Sequence, residues 1–192
     1  DVTGVQTLCS SDLSGVFYQE FDSRGVSSFR QLTQINSAVW SHLLFKDQKT
    51  NKEKLLVGTI SNGIFEIDDK FRVKSISNTQ EFKNKEIVHI AYSMYQSERN
   101  PNQVYIGMSG SFAAMEWDGY IWKDLGRVKR DVLKKEYRFI GEVSSNDLWV
   151  VTYGEGITRI QFDKDTLVTE YGVDQGLPSN TDNSIFITEG NI

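Results

Sequence analysis

The feature that most limits how this chain can fold is a repeat. Asp-containing turns recur at Asp22, Asp68, Asp118 and Asp163, a period of about 45 to 50 residues. That is the length of a β-propeller blade, and it exceeds most solenoid units. A second marker runs alongside. Leu148 to Ile160 reads L-W-V-V-T-Y-G-E-G-I-T-R-I: strand-type residues, a tight glycine turn and a second strand. The stretch L-L-V-G-T-I-S-N-G-I-F aligns with it without a gap, matching Leu55 to Leu148, Val57 to Val150, Thr59 to Thr152 and Gly63 to Gly156. V-Y-I-G-M-S-G-S-F, ending at Phe112, reads as a divergent copy with Phe112 in the turn-glycine place, and C-S-S-D-L-S-G-V-F around Gly15 as another.

In the opening strand of Leu148–Ile160, Leu148, Val150 and Thr152 point to one side and Trp149, Val151 and Tyr153 to the other. Both sides are largely apolar, whereas a hairpin with one wet face alternates apolar with polar residues. A sheet packed on both faces is therefore expected. Blades of four antiparallel strands stacked around an axis provide it, and a β-sandwich, the alternative, predicts one wet face and no such period. The fold class read from sequence is thus all-β, a propeller of about four blades, with units at 1–35, 36–85, 86–135 and 136–180.

The first unit has only three strands, near 5–9, 16–21 and 26–32. Asn62-Gly63 and Asp118-Gly119 read as two-residue hairpin turns. Lys46 to Lys54 reads as a solvated tip, and 126–137 as the one helical turn. Residues 181–192 follow a Gly/Pro-rich connector and look like the opening strand of a further unit. That strand either starts another blade of a larger propeller or pairs beside the first unit to close a four-bladed ring.

Composition removes other classes. A net charge of −5 opposes a phosphate-neutralising nucleic-acid surface. A single cysteine, Cys9, leaves neither an internal disulfide nor a Cys-based zinc site. No apolar run approaches a membrane span, no signal peptide is visible, and no nucleophile elbow, P-loop or zinc-protease motif occurs. No metal, cofactor or catalytic residue is expected.

Asn146 to Ile160 (N-D-L-W-V-V-T-Y-G-E-G-I-T-R-I), Tyr171 to Asn180 (Y-G-V-D-Q-G-L-P-S-N) and Val39-Trp40-Ser41 together resemble the two-component regulator propeller repeat. The resemblance covers nearly the whole chain, with departures at Val151, where the family has glycine, and at Cys9 to Ser11 and Ser109 to Ala114. It implies the extracytoplasmic, periplasmic sensor region of a hybrid histidine kinase that binds oligosaccharides from polysaccharide breakdown. It also implies a homodimer in the full receptor and a membrane link only through segments outside this stretch. A propeller scaffold for protein partners and a propeller lyase or hydrolase are the other two classes; the latter lacks a His/carboxylate cluster.

Aromatic side chains flanked by hydrogen-bonding groups suit sugars. Trp40, Asn36, Tyr92 and Asn183 lie near the ends of the expected inner strands, and Tyr153 varies among the repeat copies, so these five are the ligand-binding candidates. Trp149 is expected in the core, and Trp117 and Trp122 on an outer edge. Lys129, Arg130, Lys134 and Lys135 form a local basic run that would attract an anionic sugar, although such runs usually mark a solvated loop. His42 and His89 both fall on first strands, where packing or solvation is the commoner role, and Asp163 and Asp165 read as turn residues rather than metal ligands.

Overall fold

The structure, a computed structural model, describes residues 8–11, 15–83, 90–128, 135–162 and 165–188. Fifteen strands among them form four antiparallel meanders. Sheet 1 has β1 (Leu8–Ser11), β2 (Gly15–Phe21) and β3 (Ser27–Gln31). Sheet 2 has β4 (Val39–Lys46), β5 (Glu53–Thr59), β6 (Ile64–Ile67) and β7 (Val73–Ser75). Sheet 3 has β8 (Ala91–Gln96), β9 (Gln103–Met108), β10 (Ser111–Trp117) and β11 (Trp122–Val128). Sheet 4 has β12 (Tyr137–Ser144), β13 (Asp147–Thr152), β14 (Ile157–Phe162) and β15 (Thr166–Tyr171). Among the described residues sheet 1 has three strands, its first at Leu8–Ser11, whereas the sequence places a strand near 5–9.

Three apolar clusters hold the sheets together, one in each gap. Val16 and Ile35 meet Val57 and Ile67 between sheets 1 and 2. Phe45, Leu56 and Ile64 meet Ile106, Met115 and Trp122 between sheets 2 and 3. Tyr105 and Phe112 meet Leu148, Val150 and Ile160 between sheets 3 and 4. Each fully buried Leu, Ile or Phe contributes roughly 1.5–3 kcal/mol, so stacking of consecutive sheets supplies the bulk of the stabilisation. The first strands β4, β8 and β12 lie next to one another along one side of the stack.

The repeat residues have specific tasks. Thr59 and Thr152 are buried, and their hydroxyls donate to the carbonyls of Gly63 and Gly156 at 2.8 and 2.9 Å, which locks each hairpin turn. Gly156 has φ 80, and a Cβ there would collide with the Tyr171 carbonyl. The buried Ser41 and Ser93 hydroxyls donate across the gap to the carbonyls of Ala91 and Tyr137 at 2.7 and 2.8 Å. Their strand partners Gly58 and Gly107 leave no room for a Cβ, so Ser and Gly together set how closely the next sheet approaches. In sheet 4 this pair becomes Phe139 and Val151. The tight contact moves to Gly141, over which Ile185 and Ile187 sit.

The turn aspartates work as read. Asp22 accepts from the backbone N–H groups of Arg24 and Val26, Asp68 from Lys70 and Arg72, and Asp118 from Tyr120 and Ile121; Asp163 lies outside the described residues.

Several expectations are corrected. Gly126–Val128 continue β11 instead of opening a helix, and Tyr137 already begins β12. The β9–β10 turn uses Gly110, with φ 65, because Met108 pairs with Ser111 and leaves Phe112 inside the strand. The tip after Lys46 is not wholly solvated: Asp47 is buried and accepts from the Trp117 indole. Trp117 and Trp122 are 6% and 3% exposed, since they fill the gap to sheet 2 rather than an outer edge. Trp149 is only half-buried. The matching residues Leu56 and Tyr105 pack on the following sheet, and among the described residues no further sheet covers Trp149, which stacks on Tyr171 at 5.0 Å. Residues 181–187 join no described sheet as a strand.

Candidate functional site

The first strands of sheets 2, 3 and 4 share a β-bulge at their starts. Pairing of β4 with β5 skips Trp40, pairing of β8 with β9 skips Tyr92, and pairing of β12 with β13 skips Arg138. A bulged residue leaves the ladder, and its side chain is re-aimed. Because β4, β8 and β12 are neighbours, the three re-aimed side chains converge. Trp40 and Tyr92 meet edge to face at 5.2 Å. The Arg138 guanidinium carbon lies 4.6 Å from the Trp40 ring centre, 4.2 Å from that of Tyr92 and 5.2 Å from that of Tyr153. Tyr153 reaches the group from the residue just past β13, where its backbone N–H donates to the Glu136 carbonyl at 3.0 Å.

Glu136 ties the cluster together. One carboxylate oxygen accepts from the Tyr92 hydroxyl at 2.9 Å, and the other accepts from Arg138 Nη2 at 2.7 Å. Burial pushes the Tyr92 phenol above its ordinary pKa, and the Glu136 carboxylate adds to the shift. The phenol therefore stays protonated, as a donor, throughout the neutral range. Arg138 Nε is buried and has no hydrogen-bond partner among the described residues. Trp40 and Tyr153 remain 43% and 73% exposed. The result is an open aromatic-walled site whose floor is a guanidinium paired on one side only. Such a site can stack flat, weakly polar ring faces while the Arg–Glu–Tyr network offers both donors and an acceptor.

Of the five sequence candidates, the structure brings Trp40, Tyr92 and Tyr153 together. Asn36 is exposed beside the β5–β6 turn, where its side-chain oxygen accepts from Asn62 at 3.2 Å. Asn183 donates to the Ser179 carbonyl at 3.1 Å. Lys135 lies 3.1 Å from a Glu170 oxygen and 3.6 Å from a Glu155 oxygen, so its charge is balanced locally. Lys129, Arg130 and Lys134, like His89, lie outside the described residues. His42 is exposed on β4. Sequence reasoning missed Arg138 and Glu136, which lie just past the basic run. The signal was present: Arg138 occupies the repeat position of Trp40 and Tyr92, one residue before the place held by Ser41 and Ser93.

Fold and site together define a β-propeller-like scaffold with an aromatic mouth formed by its first strands. Comparison with solved structures agrees on the fold. The chain is similar to the crystal structure of selenomethionine-substituted virginiamycin B lyase from Staphylococcus aureus, with a TM-score of 0.53 and 13% identity over 90% of this chain. The match spans 57% of the lyase chain, and at this identity it shows the propeller-like fold alone. No family model and no curated protein matches the chain.

Proposed function

We propose that this chain is a non-catalytic ligand-sensing portion of a bacterial two-component receptor, working outside the cytoplasm and recognising oligosaccharides released from polysaccharides. The observation that carries the reading is the convergence of Trp40, Tyr92 and Tyr153 on Arg138. Sugar rings present flat C–H faces that stack on aromatic rings, and their hydroxyls suit a mixed donor and acceptor set such as Arg138, Glu136 and the Tyr92 phenol. The resemblance of Asn146–Ile160 and Tyr171–Asn180 to the two-component regulator propeller repeat supports the receptor class. In this reading the ligand bridges side chains from sheets 2, 3 and 4. Binding then favours one relative setting of those sheets and biases how subunits of the full receptor pair.

The chain is further proposed to be part of a larger propeller. Phe139, Trp149 and Leu167 line the face of sheet 4 that no described sheet covers, and Phe139 and Leu167 are exposed there. Such a face is what an additional blade would bury.

The test is a glycan panel measured by thermal shift and calorimetry, with product analysis in parallel. Saturable binding without turnover supports the sensor. Turnover would favour a propeller lyase or hydrolase, and capture of a protein partner with no glycan response would favour a scaffold.

A further inference from the structure

The gap between sheets 2 and 3 is filled by the chain's own side chains. Trp117 and Trp122, paired across β10 and β11, face Lys54 and Glu66. The Trp122 indole N–H donates to Glu66 at 2.7 Å, and the Lys54 ammonium lies 3.2 Å from the centre of the Trp117 ring. Strand pairing identifies the same four places one gap further on. Phe162 and Thr166 pair across β14 and β15 as Trp117 and Trp122 do. Ala114 pairs with Tyr105 as Glu66 pairs with Leu56, and Gln103 precedes Val104 as Lys54 precedes Leu55. At every place the residue in the gap between sheets 3 and 4 is smaller and uncharged. All four line a cleft of about 400 Å³.

Backbone features enlarge the same space. The register shifts between Ala114 and Met115, and opposite it Gly126 adopts φ 96 with no atom within 4 Å of where a Cβ would stand. The walls are the rings of Tyr105, Phe112 and Phe162, while Ser145, Asn146 and Arg127 add polar groups. A volume of this size lies within the range of about 300–1,000 Å³ typical of small-molecule sites.

We propose that this cleft is a second ligand site, separate from the mouth, and that it takes a planar aromatic small molecule where the preceding gap holds its own indole. Three aromatic walls favour offset or edge-on contact with a flat ring, and the missing side chains of a Trp and a Glu leave the space for it. Hydrogen-bonding groups on the ligand would meet Asn146, Ser145 and Thr166.

Indole is the probe, followed by amide NMR shifts on the isotopically labelled chain. The expected result is saturable shifts at Ala114, Gly126 and Thr166, with Tyr92 and Tyr153 unmoved. Thr166→Trp returns an indole to the gap and is expected to weaken binding at least tenfold while leaving the circular dichroism spectrum unchanged. If that variant does not fold, Ala114→Leu obstructs the cleft from the other wall and is expected to have the same effect. No shifts at the cleft amides with millimolar indole, shifts confined to the mouth, or full binding by a folded obstructed variant would each overturn the proposal.

Discussion

Two clusters in this protein are built from nearly the same parts. Between sheets 2 and 3, Lys54 lies over Trp117 and pairs with Glu66, which also accepts from the Trp122 indole. At the mouth, Arg138 lies over Trp40 and Tyr92 and pairs with Glu136, which also accepts from the Tyr92 phenol. Each sets one cation against an aromatic ring and pairs it with a carboxylate that also accepts from an aromatic side chain. The difference is completion. Trp117 and Trp122 are buried with both indole N–H groups satisfied, by Asp47 and Glu66. Burial pushes the Asp47 carboxyl up, but hydrogen bonds from Thr50, Lys49 and Trp117 outweigh it and hold its pKa below the ordinary value. The mouth cluster keeps Trp40 and Tyr153 in solvent and leaves Arg138 Nε without a partner among the described residues. Similar ingredients thus serve cohesion where both indoles are buried and satisfied, while the ring faces left in solvent at the mouth suit the recognition proposed for it.

Mutation should separate the two. Trp117→Ala opens a cavity in the gap and removes one of the donors to Asp47, so a loss of about 3–5 kcal/mol is expected in urea unfolding. Gly107→Val is next. Its side chain would meet Ser93 and Tyr137 and push sheets 3 and 4 apart, with an expected cost of about 1–3 kcal/mol. Val151→Gly, at the corresponding place in sheet 4, tests the same logic in reverse and should not relieve any clash. Trp40→Ala should cost about 1 kcal/mol or less in stability, since much of the ring is already in water, yet remove ligand binding. A large stability loss there would collapse the distinction between the clusters.

The smallest expected effect is on acid stability. Backbone N–H groups of Ile121 and Tyr120 lower the Asp118 carboxyl to about 2, and those of Val26 and Arg24 lower Asp22 below the ordinary value of 3.8. For a depressed carboxylate the stabilisation is present above the unfolded-state pKa and fades as pH falls through the folded one. The turn contribution should therefore be intact at pH 5 and decline between about 3.8 and 2. Unfolding of Asp118→Asn as a function of pH checks this, because the variant should lose that part of the acid dependence.

Most of the fold was legible because its markers are local. Thr59, Gly63 and their counterparts Thr152 and Gly156 each close a turn within a few residues, and the turn aspartates bond to the backbone just ahead of them. What misled was context. The divergent third unit looked as if it had lost its turn glycine because Gly110 lies two residues before Phe112. Trp149 resembles a core residue by position, and its burial depends on what stands against sheet 4. The site was half legible. Trp40 and Tyr92 drew attention as aromatics on first strands, whereas Arg138 carries no such mark and joins them only through a bulge that shifts its register against β13. The cleft beside Ala114 and Thr166 had no signal at all, since it arises from small residues on strands far apart in sequence.

The role proposed for the aromatic mouth is saccharide recognition. Calorimetric titration of neutral and uronate-bearing oligosaccharides into the wild-type chain, Trp40→Ala and Arg138→Met tests it most directly. Saturable heat is expected with at least one glycan, abolished in Trp40→Ala and weakened in Arg138→Met while both variants keep near-native melting temperatures. Glycan binding that persists undiminished in Trp40→Ala, or no binding by the wild-type chain to any glycan offered, would contradict it.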